Sequence, residues 1–279
     1  MNAKPVVSVV IPVFNREKYI SDCIDSVIAQ DYENVEIIVI DNCSTDSTRE
    51  ICLDYKNSGK IKFIENSYNV GPVKNWLKGI EDSSGEYCWL LFSDDMIYSP
   101  NVISTLVDNV IKNDCNMAFG IVNIGANISS SVPFYSVHDT CEVFSYHDYI
   151  KRHVINFGQV PVSPAAYIVK TEYYKKVLPQ LVNEFSGDES MLNTGAGIDL
   201  LLLTRSVRMA GRVLFVNRVV SFFRSHAGSF SSSHSDAVFK KYNDIRLFLT
   251  KELSFPVRFY SFFYVVLSRL KLEWRIKFR

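Results

Sequence analysis

Polar side chains follow each of four short apolar runs in the first hundred residues. These side chains belong to Phe14–Asn15, Asp41–Asn42, Asn66–Asn69 and Ser93–Asp95. Hard divalent cations such as Mg²⁺ take oxygen ligands, usually one or two carboxylates together with substrate phosphates. The adjacent carboxylates Asp94 and Asp95 are therefore a candidate metal site. The alternative is that they cap a helix predicted over Tyr98–Asn113.

The apolar runs themselves predict buried strands, because they are short and rich in β-branched residues. They are Val6–Val13, Val35–Ile40, Ile61–Ile64 and Tyr87–Phe92, and their starts are 29, 26 and 26 residues apart. Helical patterns lie between them, at Ile20–Ile28 with Asn15 as the expected N-cap, at Ser44–Tyr55 and at Pro72–Ile80. Alternation of strands and helices predicts a doubly wound α/β sheet, in which ligands bind beyond the carboxyl ends of the strands.

Composition and missing motifs exclude several classes of protein. Thirty Lys plus Arg balance thirty Asp plus Glu, whereas a nucleic-acid-binding protein usually has a basic excess. No GxGxxG follows a strand and no GxxxxGK[ST] occurs, which argues against a dinucleotide-dependent dehydrogenase and a P-loop enzyme. The six cysteines form no CxxC pair and favour a reducing compartment. We expect a cytoplasmic protein, either soluble or peripheral at the inner face of the cytoplasmic membrane.

The order and spacing of these motifs resemble the opening of the family 2 glycosyltransferases. Val7–Asn15 is similar to their SVIIPxYN-like strand, and Asp41–Thr48 to their D[DN]xSTDxT-like loop. Asn69–Gly71 with Asn75-Trp76 looks like the next motif, and Phe92–Asp95 occupies the place of the metal-binding DxD. Two departures are Phe92, where many members have Asp, and Asn42, where a second Asp is commoner.

The resemblance implies a GT-A fold, a Rossmann-like and mostly parallel sheet flanked by helices. It predicts a nucleotide-sugar-binding half at 1–125, an acceptor-binding and catalytic-base half at 126–235, and a helical, basic aromatic tail at 236–279. The implied activity is inverting transfer of a hexosyl or N-acetylhexosaminyl group, dependent on Mn²⁺ or Mg²⁺. The expected donor is a nucleoside diphosphate sugar, in the first place a UDP-sugar. The expected acceptor is a glycan or lipid-linked glycan of a surface polysaccharide such as O-antigen or capsule.

The resemblance also gives roles to individual residues. Those expected around the nucleotide sugar are Pro12, Phe14, Asn15, Asp41, Asn69, Asn75, Asp94 and Arg224. Among them, Asp41 would accept a hydrogen bond from the base and Arg224 would hold the diphosphate. Asp95 would be the direct metal ligand, with His226 of the Arg-x-His-x-x-Ser motif as a second contact to metal or phosphate.

An inverting transferase also needs a general base for the acceptor hydroxyl, usually a carboxylate or His. Relatives carry an acidic pair at the start of a late helix, and Gly195–Leu202 looks like that segment, with Ile198 where Glu is common. Asp199 is then the predicted base, unless it is only an N-terminal cap, and Asp188 is the reserve candidate.

The C-terminal segment and the rival functions stay open at this point. Phe255–Arg279 has six Arg or Lys against one Glu among many aromatic residues. A helix of this kind can lie on an anionic membrane surface or pack on the domain with a solvated basic face. One rival is a degenerate nucleotide-sugar-binding protein that has lost turnover. Phe92 and Ile198 support it, because each stands where an acidic residue is common in the family. A nucleotidyltransferase is the other.

Overall fold

The four apolar runs form neighbouring parallel strands of one central sheet. The computed structural model describes residues 4–134, 140–155, 160–226, 235–255, 258–259, 262–263 and 265–266. In this structure the four runs are the strands β1 to β4. Their bounds are Val7–Val13, Val35–Asp41, Lys62–Glu65 and Tyr87–Leu90. β1 lies between β2 and β4, and β3 pairs with the outer side of β2. Every residue of β1 is buried, as expected for a strand covered on both faces.

The helices of this half lie where their apolar stripes predicted, with two corrections at their starts. They are α1 (Ile20–Ile28), α2 (Thr48–Asn57), α3 (Pro72–Glu81) and α4 (Val102–Lys112). Asn15 does not cap α1, whose N-cap is Tyr19. Asn15 instead has a left-handed backbone (φ 50°), and its Oδ1 accepts a hydrogen bond from the Thr45 N–H at 2.8 Å. α2 begins later than predicted because Ser44 is bonded to Asp41.

The sheet continues into the second half of the chain. Its further strands are β5 (Met96–Ile97), β6 (Met117–Gly125), β7 (Val132–Pro133), β8 (Glu142–Ser145), β9 (Tyr167–Lys170) and β10 (Arg212–Arg224). Along the main path the order is β3-β2-β1-β4-β9-β6-β10-β5, with β7 beside β6 and β8 beside β10. β6 and β10 are parallel, whereas β9 runs antiparallel to both β4 and β6. The predicted α/β class with a mostly parallel sheet is confirmed.

Five further α-helices lie in the described residues between 146 and 249. They are α5 (Tyr146–Ile155), α6 (Thr171–Glu184), α7 (Glu189–Leu192), α8 (Ile198–Ala210) and α9 (Ser235–Leu249). α9 packs on α5 and α8. The predicted boundary at 125 coincides with the end of β6, and the one at 236 falls on the second residue of α9.

Most of the basic aromatic segment Phe255–Arg279 lies outside the described residues, because nothing after 266 is described. Ser229 of the Arg-x-His-x-x-Ser motif lies outside them as well. In the part of the chain that is described, no helix combines the length and apolarity needed to cross a bilayer.

Buried aromatic residues join the two halves of the sheet. The Trp89 indole is fully buried and donates to the Ala165 carbonyl at 2.9 Å. Phe119 of β6 stacks on Tyr167 of β9 and contacts Phe215 of β10, with centroid distances of 5.1 and 5.4 Å. This packing holds the second half at a fixed position relative to the strand ends of the first.

Candidate active site

A cavity of about 1220 Å³ lies at the carboxyl ends of β1, β2 and β4. Residues from both halves of the chain line it. The predicted site residues among them are Pro12, Phe14, Asn69, Asn75, Asp94, Asp95, Asp199 and Arg224. The three predicted residues that do not line it are Asn15, Asp41 and His226. The structure therefore gathers eight of the eleven around one volume, although up to 212 residues separate them in sequence.

Asp41 is buried at the end of β2 and bound to its own loop. Its carboxylate accepts hydrogen bonds from the Ser44 N–H at 3.1 and 3.2 Å and from the Ser44 hydroxyl at 2.5 Å. Burial raises the pKa of Asp41, and the bonds from Ser44 oppose that rise. The Ser44 hydroxyl also accepts from the Asn15 N–H at 2.9 Å, so Asp41 and Asn15 hold the loops after β1 and β2 together.

Four asparagine amides form a connected network beside this loop. The Asn75 amide donates to the Ile40 carbonyl at 3.0 Å and accepts from Asn66 at 2.8 Å. Asn66 also donates to Asn42 at 3.1 Å, and Asn42 donates to Asn69 at 2.8 Å. Because Asn42, Asn66 and Asn75 each use both the amide oxygen and the amide nitrogen, the network fixes the cavity wall formed by the ends of β2 and β3.

The two adjacent carboxylates Asp94 and Asp95 point to different partners. Asp95 is buried, and its Oδ1 accepts from the Arg224 N–H at 3.3 Å. Asp94 lies 3.1 Å from His226 Nε2 and 3.4 Å from Arg16 Nε, both measured from its Oδ2. Burial, and then the charge of Asp94, raise the pKa of Asp95 well above its ordinary value. Neither residue caps α4, whose N-cap is Asn101.

Arg224 and His226 reach this pair from the end of β10. The Arg224 Nε donates to the Asp94 carbonyl at 3.3 Å, and its Nη2 donates to Asp22 Oδ2 at 2.8 Å. The Tyr19 ring contacts both side chains, with its centroid 4.5 Å from the His226 ring and 5.1 Å from the Arg224 guanidinium. Arg224 thus supplies positive charge beside the carboxylates while Asp22 orients it.

The carboxylate oxygens of Asp95 are suitable ligands for a divalent cation. Its carboxylate is buried beside a second carboxylate, which makes its charged form costly, and a bound cation would offset that cost. Among the described residues no group of three or more His, Cys, Asp or Glu side chains could hold a metal. A cation held by one or two protein carboxylates and by substrate phosphates fits the preference of Mg²⁺.

Asp199 is the second residue of α8 and lines the same cavity. Gly197 precedes it with a left-handed backbone (φ 88°), and the turn aims both the Gly197 and the Leu200 N–H at Asp199 Oδ1, at 3.0 and 2.7 Å. The Tyr242 hydroxyl donates to its Oδ2. Burial raises the pKa of Asp199 to about 7, while these hydrogen bonds lower it. A carboxylate with a pKa near 7 is suited to general-base catalysis at neutral pH.

Asp188, the reserve candidate, has a different setting. It does not line the cavity, and its Oδ1 caps α7 by accepting from the Met191 N–H at 3.2 Å. Lys241 lies 3.2 Å from its Oδ2. The Ser190 hydroxyl, and Lys241 after it, lower the pKa of Asp188. A more acidic carboxylate is a weaker base, so the geometry favours Asp199 for that role.

Sequence reasoning missed several polar residues in the cavity wall, among them His153 of α5 and Tyr242 and Arg246 of α9. Tyr242 and Arg246 are four residues apart and so share one face of α9. That spacing was visible, but nothing in the sequence indicated that this face meets α5 and α8. Arg16 was also missed, because its contact with Asp94 depends on how the loop after β1 folds back.

Comparison with known proteins gives a consistent result. Residues 8–178 match the family model described as Glycosyl transferase family 2. The glycosyltransferase GlyG of Streptococcus pneumoniae is 27% identical over 236 residues, which are 83% of this chain and 74% of GlyG. TuaG of Bacillus subtilis, named for teichuronic acid biosynthesis, is 28% identical over 157 residues, 55% of this chain and 60% of TuaG.

Among solved structures, the Staphylococcus aureus protein TarS (residues 1–349, in complex with UDP-GlcNAc) superposes with a TM-score of 0.68 at 19% identity. The match covers 90% of this chain and 68% of that one. The two folds are therefore alike.

Proposed function

The chain belongs to glycosyl transferase family 2, and we propose that it moves a sugar from a nucleoside diphosphate sugar to a hydroxyl of a glycan acceptor with inversion at the anomeric carbon. The observation that carries this proposal is that one cavity is lined both by the carboxylate pair and by Asp199, a buried carboxylate with a pKa of about 7. The reaction has two tasks for carboxylates. One is to bind the cation that offsets the charge of the leaving group, the other is to accept a proton, and the two tasks need carboxylates in different environments.

We assign the first task to Asp94, Asp95 and the cations around them. Asp95, with His226 as a further contact, would hold Mn²⁺ or Mg²⁺ together with the donor diphosphate. When bound, the cation would offset the negative charge that develops on the departing diphosphate. Arg16 and Arg224 add positive charge at the same place, since Arg16 lies beside Asp94 and Arg224 borders the cavity.

We assign the second task to Asp199. Its ionised carboxylate would accept the proton of the acceptor hydroxyl while that oxygen forms a bond to the anomeric carbon. At the same carbon the bond to the diphosphate oxygen breaks on the opposite face, and the nucleoside diphosphate leaves with that electron pair. The Gly197 and Leu200 N–H groups fix one oxygen of Asp199, which leaves Oδ2 to exchange its bond with Tyr242 for one with the acceptor.

Donor, acceptor and setting are part of the same proposal. A UDP-sugar is supported by the likeness to the TarS structure, which contains UDP-GlcNAc. A surface polysaccharide is supported by the similarity to TuaG. We place the enzyme in the cytoplasm because all six cysteines are free thiols, and at the membrane face because Phe255, Phe259, Phe262 and Phe263 are exposed.

A donor-hydrolysis screen tests the function. UDP-, GDP-, dTDP- and CDP-sugars are each incubated with Mn²⁺ or Mg²⁺, and nucleoside diphosphate release is measured with donor binding by calorimetry in parallel. We expect metal-dependent release from one donor, lost in Asp95→Ala and unchanged in Asp108→Asn, an exposed carboxylate on α4. Asp199→Asn should keep donor binding and lose turnover. Binding without release or transfer would instead support the degenerate protein, and release of pyrophosphate would support a nucleotidyltransferase.

A further inference from the structure

The cavity wall includes a buried cation next to a buried imidazole. Arg246 of α9 and His153 of α5 both line the cavity, with exposed fractions of only 4% and 2%. They are tied to each other, because the Arg246 Nε donates to the His153 carbonyl at 3.1 Å. Neither residue belongs to the carboxylate pair or to the motifs that identify the family.

The position of the Arg246 guanidinium is fixed by its neighbours. Its Nη1 lies 3.4 Å from the Asn243 amide oxygen, and its plane lies over the Tyr242 ring with 5.9 Å to the centroid. A guanidinium is charged at every physiological pH, and its planar fork matches the two oxygens of a carboxylate or phosphate. A rigidly held guanidinium in a cavity wall is therefore suited to recognise an oxyanion.

His153 provides a second and independent sign of a ligand. Its Nε2 is buried and has no hydrogen-bond partner among the described residues. An unpaired buried polar atom costs about 1–3 kcal/mol, which a ligand atom bonded to it would recover. Burial, and then the charge of Arg246, lower the pKa of His153 to about 3, so the imidazole is neutral at pH 7. In the tautomer with the proton on Nε2 it donates a hydrogen bond and adds no charge.

The position along α9 indicates which substrate would carry the oxyanion. Tyr242, which donates to Asp199, precedes Arg246 by four residues, so the two side chains lie about 6 Å apart along the helix axis. That spacing is similar to the width of one sugar ring. The donor diphosphate is expected beside Asp94 and Asp95, where Arg16 and Arg224 already supply positive charge.

We infer that His153 and Arg246 form a subsite for a carboxylate or phosphate carried by the acceptor glycan, about one sugar ring from the hydroxyl that Asp199 activates. This inference rests on the proposed function, because it names a property of the acceptor for the same site. It predicts that the acceptor is an anionic glycan, such as one containing a uronic acid or a sugar phosphate.

The test compares anionic probes with neutral twins on the full chain saturated with UDP. UDP is present so that a probe cannot occupy the diphosphate region. Methyl β-glucuronide is compared with methyl β-glucoside, and glycerol 1-phosphate with glycerol, each titrated by calorimetry or ligand-observed NMR. We expect one anionic probe to bind about tenfold or more tightly than its twin. The preferred probe decides between carboxylate and phosphate.

Variants then locate the effect. Arg246→Gln should abolish the preference for the anionic probe, Arg246→Lys should keep part of it, and His153→Gln should reduce it severalfold. Arg208→Gln, an exposed guanidinium on α8, should leave it unchanged. Equal binding of the anionic probe and its neutral twin to the wild-type chain would overturn the inference. This test needs no variant, so it decides the question even if Arg246→Gln folds poorly.

Two further outcomes separate this inference from the proposed function. If UDP does not bind, the probes are titrated in the presence of GDP, dTDP or CDP instead, and if none of the four nucleotides binds, the proposed function fails as well. If UDP binds to the wild-type chain but Arg246→Gln weakens UDP itself, Arg246 serves the donor and the acceptor subsite is wrong.

Discussion

Removal of the Tyr242 hydroxyl should shift the pH dependence of turnover, because that hydroxyl stabilises the charged form of Asp199. The pKa of Asp199 is about 7, the net result of burial, which raises it, and of hydrogen bonds, first of all the one from Tyr242 to Oδ2, which lower it. A hydrogen bond to a charged group contributes about 1.5–3 kcal/mol, and 1.36 kcal/mol corresponds to one pKa unit. In Tyr242→Phe the pKa of Asp199 should therefore rise by about 1–2 units.

The sign follows from the role of Asp199 as a base, which must be ionised to act. Wild-type turnover should be full above pH 7 and fall as the pH decreases through about 7. In Tyr242→Phe that fall should begin about 1–2 units higher, so turnover at pH 7 should drop about 5- to 50-fold and recover near pH 9.

The assay is nucleoside diphosphate release between pH 5.5 and 9.5 with saturating donor and metal. Tyr55→Phe is the matched control, because the Tyr55 hydroxyl donates to Asp25 at 2.9 Å on the exposed surface. The control should have the wild-type profile. An unshifted acidic limb in Tyr242→Phe, or a loss of rate that is the same at every pH, would refute the reasoning.

Three further predictions concern stability and reactivity. Asp199→Asn should raise the melting temperature at pH 8 but not at pH 4, because a raised folded-state pKa costs stability as the pH increases from about 4 to 7, on the order of 4 kcal/mol in total. Gly195→Ala should destabilise the fold by a few kcal/mol, because Gly195 has φ 73° and an added Cβ would overlap the Trp76 indole. Denaturant titration measures this loss, and Gly187→Ala is the control because an added Cβ there meets open space. With a thiol reagent, the exposed Cys141 should react fastest in the native protein, and the four buried thiols should react only after unfolding.

The first half of the fold could be predicted because its signals are local. A strand buried on both faces is a short run of apolar residues, and the helices between such strands carry one apolar stripe each. The N-cap of α1 was predicted wrongly because Asn15 is bonded to Thr45, thirty residues away, and no local pattern reports that bond. The fold class is confirmed, while the roles assigned to individual site residues stay predictions.

The second half of the site depends on contacts between distant parts of the chain. The face of α9 that lines the cavity has Tyr242 and Arg246, whose partners in the site, Asp199 and His153, are 43 and 93 residues earlier in the sequence. His153 and Arg246 lie on separate helices, so no local pattern in the sequence indicates that they meet. Only packing of α9 on α5 and α8 brings them together, and this is the reason that the predicted tail segment contributes to the cavity.

The short strand β5 explains why the two halves of the chain meet at one site. Met96, which directly follows Asp95, pairs with Phe222 of β10, and this register places Arg224 beside the carboxylates from 129 residues further along the chain. β10 in turn pairs in parallel with β6, and β6 runs in the same direction as β4 because β9 is antiparallel to both, so the end of β10 points the same way as the end of β4. A cation at the end of β10 therefore meets the carboxylates at the end of β4 as a consequence of strand register. Substitutions that disturb the pairing of Met96 with Phe222 should thus impair the carboxylate pair and Arg224 together, whereas the setting of Asp199 on α8 should stay intact.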